Sequence, residues 1–186
     1  HTIYKMFKPK RILDMSSGWG DRLIAATMYD PELYVGVDPN KSLFSGYKNI
    51  IDAFAIKKEK YVMINDAFED ANITGMFDLM FSCPPFFIAE KYSSDEKQSF
   101  NRYNDIDNWL NNFMYVSIRK IWSHLNRDGY LIIDINDTKV KGETVHFVEK
   151  INRYIDSFTT SEYQGVIKWK YNHKNHANPI WVWKKI

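Results

Sequence analysis

The sequence predicts an α/β fold: a three-layer sandwich in which helices cover both faces of a sheet that is parallel except near its end. Short apolar runs alternate with stretches of helical spacing through most of the 186 residues. Three of these runs end in loops rich in glycine, proline or acid, namely Ile12-Leu-Asp-Met-Ser-Ser-Gly-Trp-Gly-Asp21, Val35-Gly-Val-Asp-Pro39 and Phe81-Ser-Cys-Pro-Pro-Phe-Phe87. The last two strand-like runs flank a polar joint, which is the pattern of an antiparallel hairpin.

The elements follow in order. Residues 11–15 form an apolar run cut off by Ser16, Ser17, Gly18 and Gly20, and 22–29 then carry helical spacing. A second strand is predicted over 33–37, a helix over 42–56 and a third strand over 61–64. A fourth strand over 78–82 must stop at Pro84-Pro85, because proline cannot donate to a ladder. Residues 90–104 are polar and aromatic without a clean period, which reads as a loop. Beyond it the spacing predicts a helix over 109–125, a strand over 130–135, a helix over 145–155, and strands over 166–171 and 180–184 joined by 172–179. The whole chain reads as a single domain, with 88–105 as a loop or lid on the substrate side.

Composition sets limits on function. Hydrophobic residues make up 45% of the chain, enough for one sizeable core, and leave little room for a separate recognition domain. With 25 Lys and Arg against 23 Asp and Glu, no large uniform field attracts nucleic acid, so any basic groove must be local. The single cysteine, Cys83, excludes an intramolecular disulfide and makes a reducing, cytoplasmic compartment the default; no metal site and no membrane span are expected. A start at His1 reads as a processed chain or fragment with an upstream segment missing.

The first loop, Asp14-x-Ser16-x-Gly18-x-Gly20, places small residues where backbone must approach a ligand. Carboxylates at Asp14 and Asp21 disfavour pyrophosphate and suit a ligand that carries an ammonium. Asp38, closing the second strand, stands where an acid accepts hydrogen bonds from ribose hydroxyls. Asp66 is positioned to accept from an adenine amino group while Phe68 covers the ring. Taken singly, these are also turn formers and helix caps. Together they fall at the carboxyl ends of three successive strands, where a parallel sheet builds its ligand site.

On these residues the chain resembles the class I S-adenosylmethionine-dependent methyltransferases. The resemblance spans nearly the whole sequence and implies a Rossmann-like sheet of seven strands ending in an antiparallel hairpin. It implies S-adenosylmethionine as cofactor, with Asp14, Ser16, Gly18 and Gly20 around the methionine part, Asp38 at the ribose, and Asp66 with Phe68 at the adenine. A nicotinamide dinucleotide fits less well, because the third glycine of its loop is replaced by Leu23.

Ser82-Cys83-Pro84-Pro85-Phe86-Phe87 resembles the Asp/Asn/Ser-Pro-Pro-aromatic motif of methyltransferases that modify amino or amide nitrogens. An amino nitrogen conjugated to a base has a delocalised lone pair, so it must be oriented before it can attack a methyl group. A side-chain oxygen and a proline-fixed carbonyl can accept its hydrogens while an aromatic ring stacks on the base. The resemblance implies that Cys83, Pro84, Pro85 and Phe86 form the catalytic segment, with Phe86 as the stacking ring. Cys83 departs from the motif: a thiol is a weak acceptor, so either backbone carbonyls or Ser82 take over the orientation, or the acceptor differs from adenine. As an attacking nucleophile Cys83 would need a positive neighbour, and adjacent sequence offers none.

Phe87, Lys91 and Arg102 are candidate substrate contacts, in a stretch where Lys91, Lys97 and Arg102 interleave with Tyr92, Phe100 and Tyr103. Lys139, Lys141, Lys168, Lys170 and Lys174 could extend a phosphate path, while His173 and His176 read as turn residues. The expected reaction is methyl transfer to an exocyclic amino nitrogen of nucleic acid, N6 of adenine in DNA ahead of RNA. A protein amide as acceptor, or an inactive subunit that supports an active partner, are the alternatives.

Overall fold

The computed structural model describes residues 1–87, 91–140, 142–170 and 177–186. Its strands are β1 (Arg11–Asp14), β2 (Leu33–Val37), β3 (Tyr61–Ile64), β4 (Phe77–Ser82), β5 (Leu125–Asp134), β6 (Thr138–Val140), β7 (Glu143–Val145), β8 (Ser161–Lys170) and β9 (Ala177–Lys185). Seven of them form one sheet in the order β3-β2-β1-β4-β5-β9-β8, and β6 pairs with β7 separately. The first five strands of that order run parallel, with Leu13 facing Val35 on one side and Met80 on the other. β9 is antiparallel to both β5 and β8. The chain builds outward from β1 through β2 to β3, then returns to lay β4 on the other flank of β1. This reversal opens a crevice at the carboxyl ends of β1 and β4, the position where open α/β sheets bind ligands.

Alternation along the strands divides the core in two. Ile12, Tyr34, Leu79 and Ile132 face one layer, where they pack with α1 (Thr2–Phe7), α2 (Asp21–Tyr29) and α3 (Phe44–Phe54). Leu13, Val35, Met80, Leu131 and Trp183 face the other. That layer contains α5 (Ile106–Trp109), a π turn (Leu110–Met114) and α6 (Tyr115–His124), which run on without a break, and α7 (Val148–Asp156). A short α4 (Ser99–Arg102) lies in the stretch read from the sequence as a loop.

Helix ends differ from the sequence expectation for local reasons. The helix predicted from residue 109 begins at Ile106, because Asp105 caps it by accepting from the Asn108 amide at 2.8 Å. The helix predicted from 145 begins at Val148. Residues 143–145 are paired to β6, and Asp137 Oδ1 accepts from the amides of Phe147 and Val148 at 3.1 and 3.0 Å. The joint between β8 and β9, with His173, Lys174 and His176, lies outside the described residues, as does Lys141. Among the described residues no helix is long and apolar enough to cross a membrane. Among them, too, no three His, Cys, Asp or Glu side chains are grouped as metal ligands.

Candidate functional site

The loops after β1, β2, β3 and β4 converge on one cleft. Its lining runs from Met15–Gly18, Trp19, Asp21 and Arg22 through Asp38–Asn40 and Leu43 to Ala67–Glu69 and then Cys83 and Pro85. Tyr92, Lys97, Gln98 and Ser99 close one side, and Phe113 projects from the π turn. Thus Ser16, Gly18, Asp38, Phe68, Cys83 and Pro85, expected at the site from sequence, are brought together.

Asp14 lies beneath the cleft, fully buried, and does not line it. Its Oδ1 accepts from Ser82 Oγ at 2.8 Å and from the Ser16 amide at 3.2 Å. Its Oδ2 accepts from Tyr34 Oη and Arg22 Nε, both at 2.8 Å. A carboxylate offers about four acceptor directions, and four donors fill them. The sequence expectation that Asp14 meets a ligand ammonium is therefore corrected: it anchors Arg22 instead. Burial alone would lower the Arg22 pKa, but the Asp14 charge and hydrogen bond outweigh it and hold the guanidinium charged. Arg22 also donates to the Ser16 carbonyl. Sequence reasoning missed Arg22, whose only signal was a cation on the first turn after the glycine loop.

Ser82, considered as a substitute acceptor for Cys83, is likewise turned inward, fully buried on Asp14. Ser16 Oγ stands 2.7 Å from Ser82 Oγ and donates to the Cys83 carbonyl at 2.9 Å. Arg22 and Cys83 line the same cleft, so the fold brings to it a cation that the sequence adjacent to Cys83 lacks.

Asp38 behaves differently from Asp14. Its Oδ2 accepts from the Gly18 amide at 2.8 Å and Oδ1 from the Asn40 amide at 2.9 Å, and unlike Asp14 the residue lines the cleft. Burial raises its pKa above the ordinary 3.8, against the pull of those two amides. Gly20 is buried at the start of α2 with φ 92° and does not line the cleft. A Cβ there would sit 2.8 Å from Ile50 Cδ1, so its role is to let α3 approach.

The remaining expectations separate by packing. Asp66 is half-exposed and paired with Lys97 Nζ at 2.8 Å; that hydrogen bond lowers its pKa. Pro84 is buried and Phe86 is half-buried against the core. Phe87, expected to face substrate, has a φ of 54° and a ring that is buried 6.0 Å from the Trp109 ring. Arg102 is engaged by Glu69 Oε1 at 2.8 Å and Asp70 Oδ2 at 2.6 Å, so its charge is spent within the protein. Lys91 is exposed and stands outside the cleft lining.

No protein-family model matches the sequence, and neither does any curated protein. Solved structures do match. A Clostridium thermocellum protein assigned as an rRNA methylase superposes with TM-score 0.68 at 15% identity, over 100% of this chain and 95% of that one. TrmN from Thermus thermophilus superposes with TM-score 0.68 at 11% identity, over 100% of this chain and 47% of its own. A Streptococcus mutans protein assigned as a methyltransferase, solved in complex with SAH, gives TM-score 0.58 at 12% identity over 95% and 89% of the two chains. With its sheet order, its crevice between β1 and β4 and these superpositions, the chain has the Rossmann-like fold of the S-adenosylmethionine-dependent methyltransferases.

Proposed function

We propose that this protein is an S-adenosylmethionine-dependent methyltransferase acting on an exocyclic amino nitrogen of nucleic acid, with N6 of adenine in DNA as its acceptor. The observation that carries the reading is the single cleft that joins the Gly18, Asp38 and Phe68 loops to Cys83 and Pro85. The donor set fits the cofactor. Arg22 and Asp21 line the cleft with opposite charges, which suits a zwitterionic amino-acid tail. Asp38 presents a carboxylate on the cleft to accept from ribose hydroxyls, and Phe68 supplies an apolar wall for a planar ring. The space beside Gly18 is open to a ligand, since a Cβ built there would meet nothing nearer than the Ser16 carbonyl oxygen at 4.0 Å.

When bound, the cofactor supplies a methyl group on a sulfonium, activated for in-line attack. The chain's own part is to orient the acceptor nitrogen. The Cys83 carbonyl accepts from Ser16 Oγ at 2.9 Å and the Pro85 carbonyl from the Phe87 amide at 3.0 Å; both residues line the cleft and each carbonyl keeps a second lone pair, which in this reading accepts an amino hydrogen. Holding the nitrogen this way directs its lone pair at the methyl carbon, and such positioning is worth several kcal/mol of barrier in general. The proton released from the methylated nitrogen passes to water.

The test is transfer from methyl-labelled S-adenosylmethionine to duplex DNA, single-stranded DNA, RNA and protein, followed by digestion. Label in N6-methyladenine from DNA is the expected result. Label confined to RNA or to a protein amide would replace the acceptor, and cofactor binding without transfer to any polymer would point to a supporting subunit.

A further inference from the structure

One ammonium gathers three carbonyls of a loop that walls the cleft. Residues 67–71, between β3 and β4, belong to no strand or helix. The amides of Asp70 and Ala71 both donate to the Ala67 carbonyl, at 3.1 and 2.9 Å. The carbonyls of Phe68, Glu69 and Ala71 instead accept from Lys120 Nζ, at 2.9, 2.6 and 2.8 Å. An ammonium has three donors, so this head group is fully used. The side chain comes from α6, and the same Nζ lies 5.8 Å from the centre of the Phe68 ring.

Lys120 is half-buried and does not line the cleft, whereas Ala67, Phe68 and Glu69 do. Burial lowers its pKa, while the charges of Asp70, Glu69 and Asp66 favour the protonated form that donates. Those carboxylates are bonded elsewhere, Glu69 and Asp70 to Arg102 and Asp66 to Lys97. The hydrogen bonds of Lys120 therefore go to main chain, and they fix the path of the loop rather than one side chain. With the backbone fixed on both sides of its Cα, Phe68 has a set direction in which to present its ring. Binding sites need such support, because a wall displaced by a fraction of an ångström loses contact with a rigid planar ligand.

We propose that Lys120 is a positioning residue for cofactor binding: it holds the 67–71 loop from the helix behind, and so sets the place of Phe68 in the cleft without touching the ligand. The assignment rests on the transferase reading above.

The experiment measures SAH binding by titration calorimetry on the wild type, Lys120→Met, Phe68→Leu and the double variant, with a thermal melt of each to show that it is folded. Lys120→Met is expected to weaken SAH about tenfold, and the same substitution in the Phe68→Leu background less than about twofold, since the ring whose place it sets is gone. A loosened fold would add its cost in either background, so equal losses in the two would overturn the proposal, as would no loss in either. If Lys120→Met does not fold, Lys120→Arg runs the same cycle: it keeps the charge, but its planar fork cannot meet three converging carbonyls as one ammonium does. Failure of the wild type to bind SAH would overturn the transferase reading and this inference with it, whereas SAH binding indifferent to Lys120 would overturn this inference alone.

Discussion

Ser16 Oγ donates to the carbonyl oxygen of Cys83 at 2.9 Å, across a separation of 67 residues. The glycine loop after β1 and the Pro-Pro segment after β4 are thereby one hydrogen-bonded unit. With Ser82 and Asp14 below, the chain of contacts reaches Arg22 at the other end of the cleft floor.

Ser16→Ala removes that tie. A net hydrogen bond is worth about 1 kcal/mol, so the variant is expected to unfold at slightly lower denaturant concentration. The larger effect falls on turnover: kcat drops and cofactor affinity falls with it, because the substitution unties the glycine loop from the Pro-Pro segment. Equilibrium unfolding and steady-state kinetics on the same preparation check both parts.

Arg22→Met leaves Asp14 charged and buried without its cation. Breaking a buried pair from one side costs about 3–5 kcal/mol, and with the Asp14 side chain fully buried and that of Arg22 17% exposed the pair belongs in that class. Adding Asp14→Asn should recover part of the loss. A double-mutant cycle by urea unfolding measures the coupling, and additive losses would contradict it.

Asp38 makes stability and binding move oppositely with pH. Its folded pKa is raised above 3.8 by burial, so in the window between the two values the native state holds more protons than the unfolded one. Stability therefore falls as pH rises through that window. Affinity for SAH is expected to rise over the same window, because the ionised carboxylate is the better acceptor for hydroxyls. Asp38→Asn should flatten both curves, which unfolding and titration calorimetry at stepped pH can read.

Gly36 sits at the floor of β2 where there is no space for a side chain. An added Cβ would lie 2.5 Å from Ser17 Oγ and 2.7 Å from Met63 Cε. Gly36→Ala is expected to destabilise by about 1–3 kcal/mol through overpacking. Combination with Ser17→Ala should relieve part of that loss in thermal melts, since it removes the nearer atom.

The parallel half of the sheet was legible because each buried strand ends where function needs acid, glycine or proline, so β1, β2 and β4 announce their own boundaries. The antiparallel pairing of β8 with β9 followed from the same punctuation. What escaped were features set by distant contacts. Helix α1 has six residues and no side-chain cap, and is held by Ile3 and Tyr4 in the core rather than by its own signal. Asp14 looked like a ligand contact because sequence shows a carboxylate but not Arg22, Tyr34 and Ser82 converging on it. Phe87 looked like part of an aromatic platform, since a positive φ at a phenylalanine is invisible until the chain is folded.

The π turn at Leu110–Met114 interrupts an otherwise continuous run of helix from Ile106 to His124, and Phe113 reaches the cleft from within it. A π turn accommodates one residue more than the α-helical period, and each residue of an α-helix rotates the face by about 100°. Deleting one residue there would regularise the hydrogen bonds, yet rotate the preceding helical segment out of phase with the one that follows. The helix thus carries an inserted residue whose use is angular: it lets Ile118, Ile121 and Trp122 stay packed in the core while Phe113 faces the site. An alignment that closed such a gap in a relative would be comparing side chains on different faces.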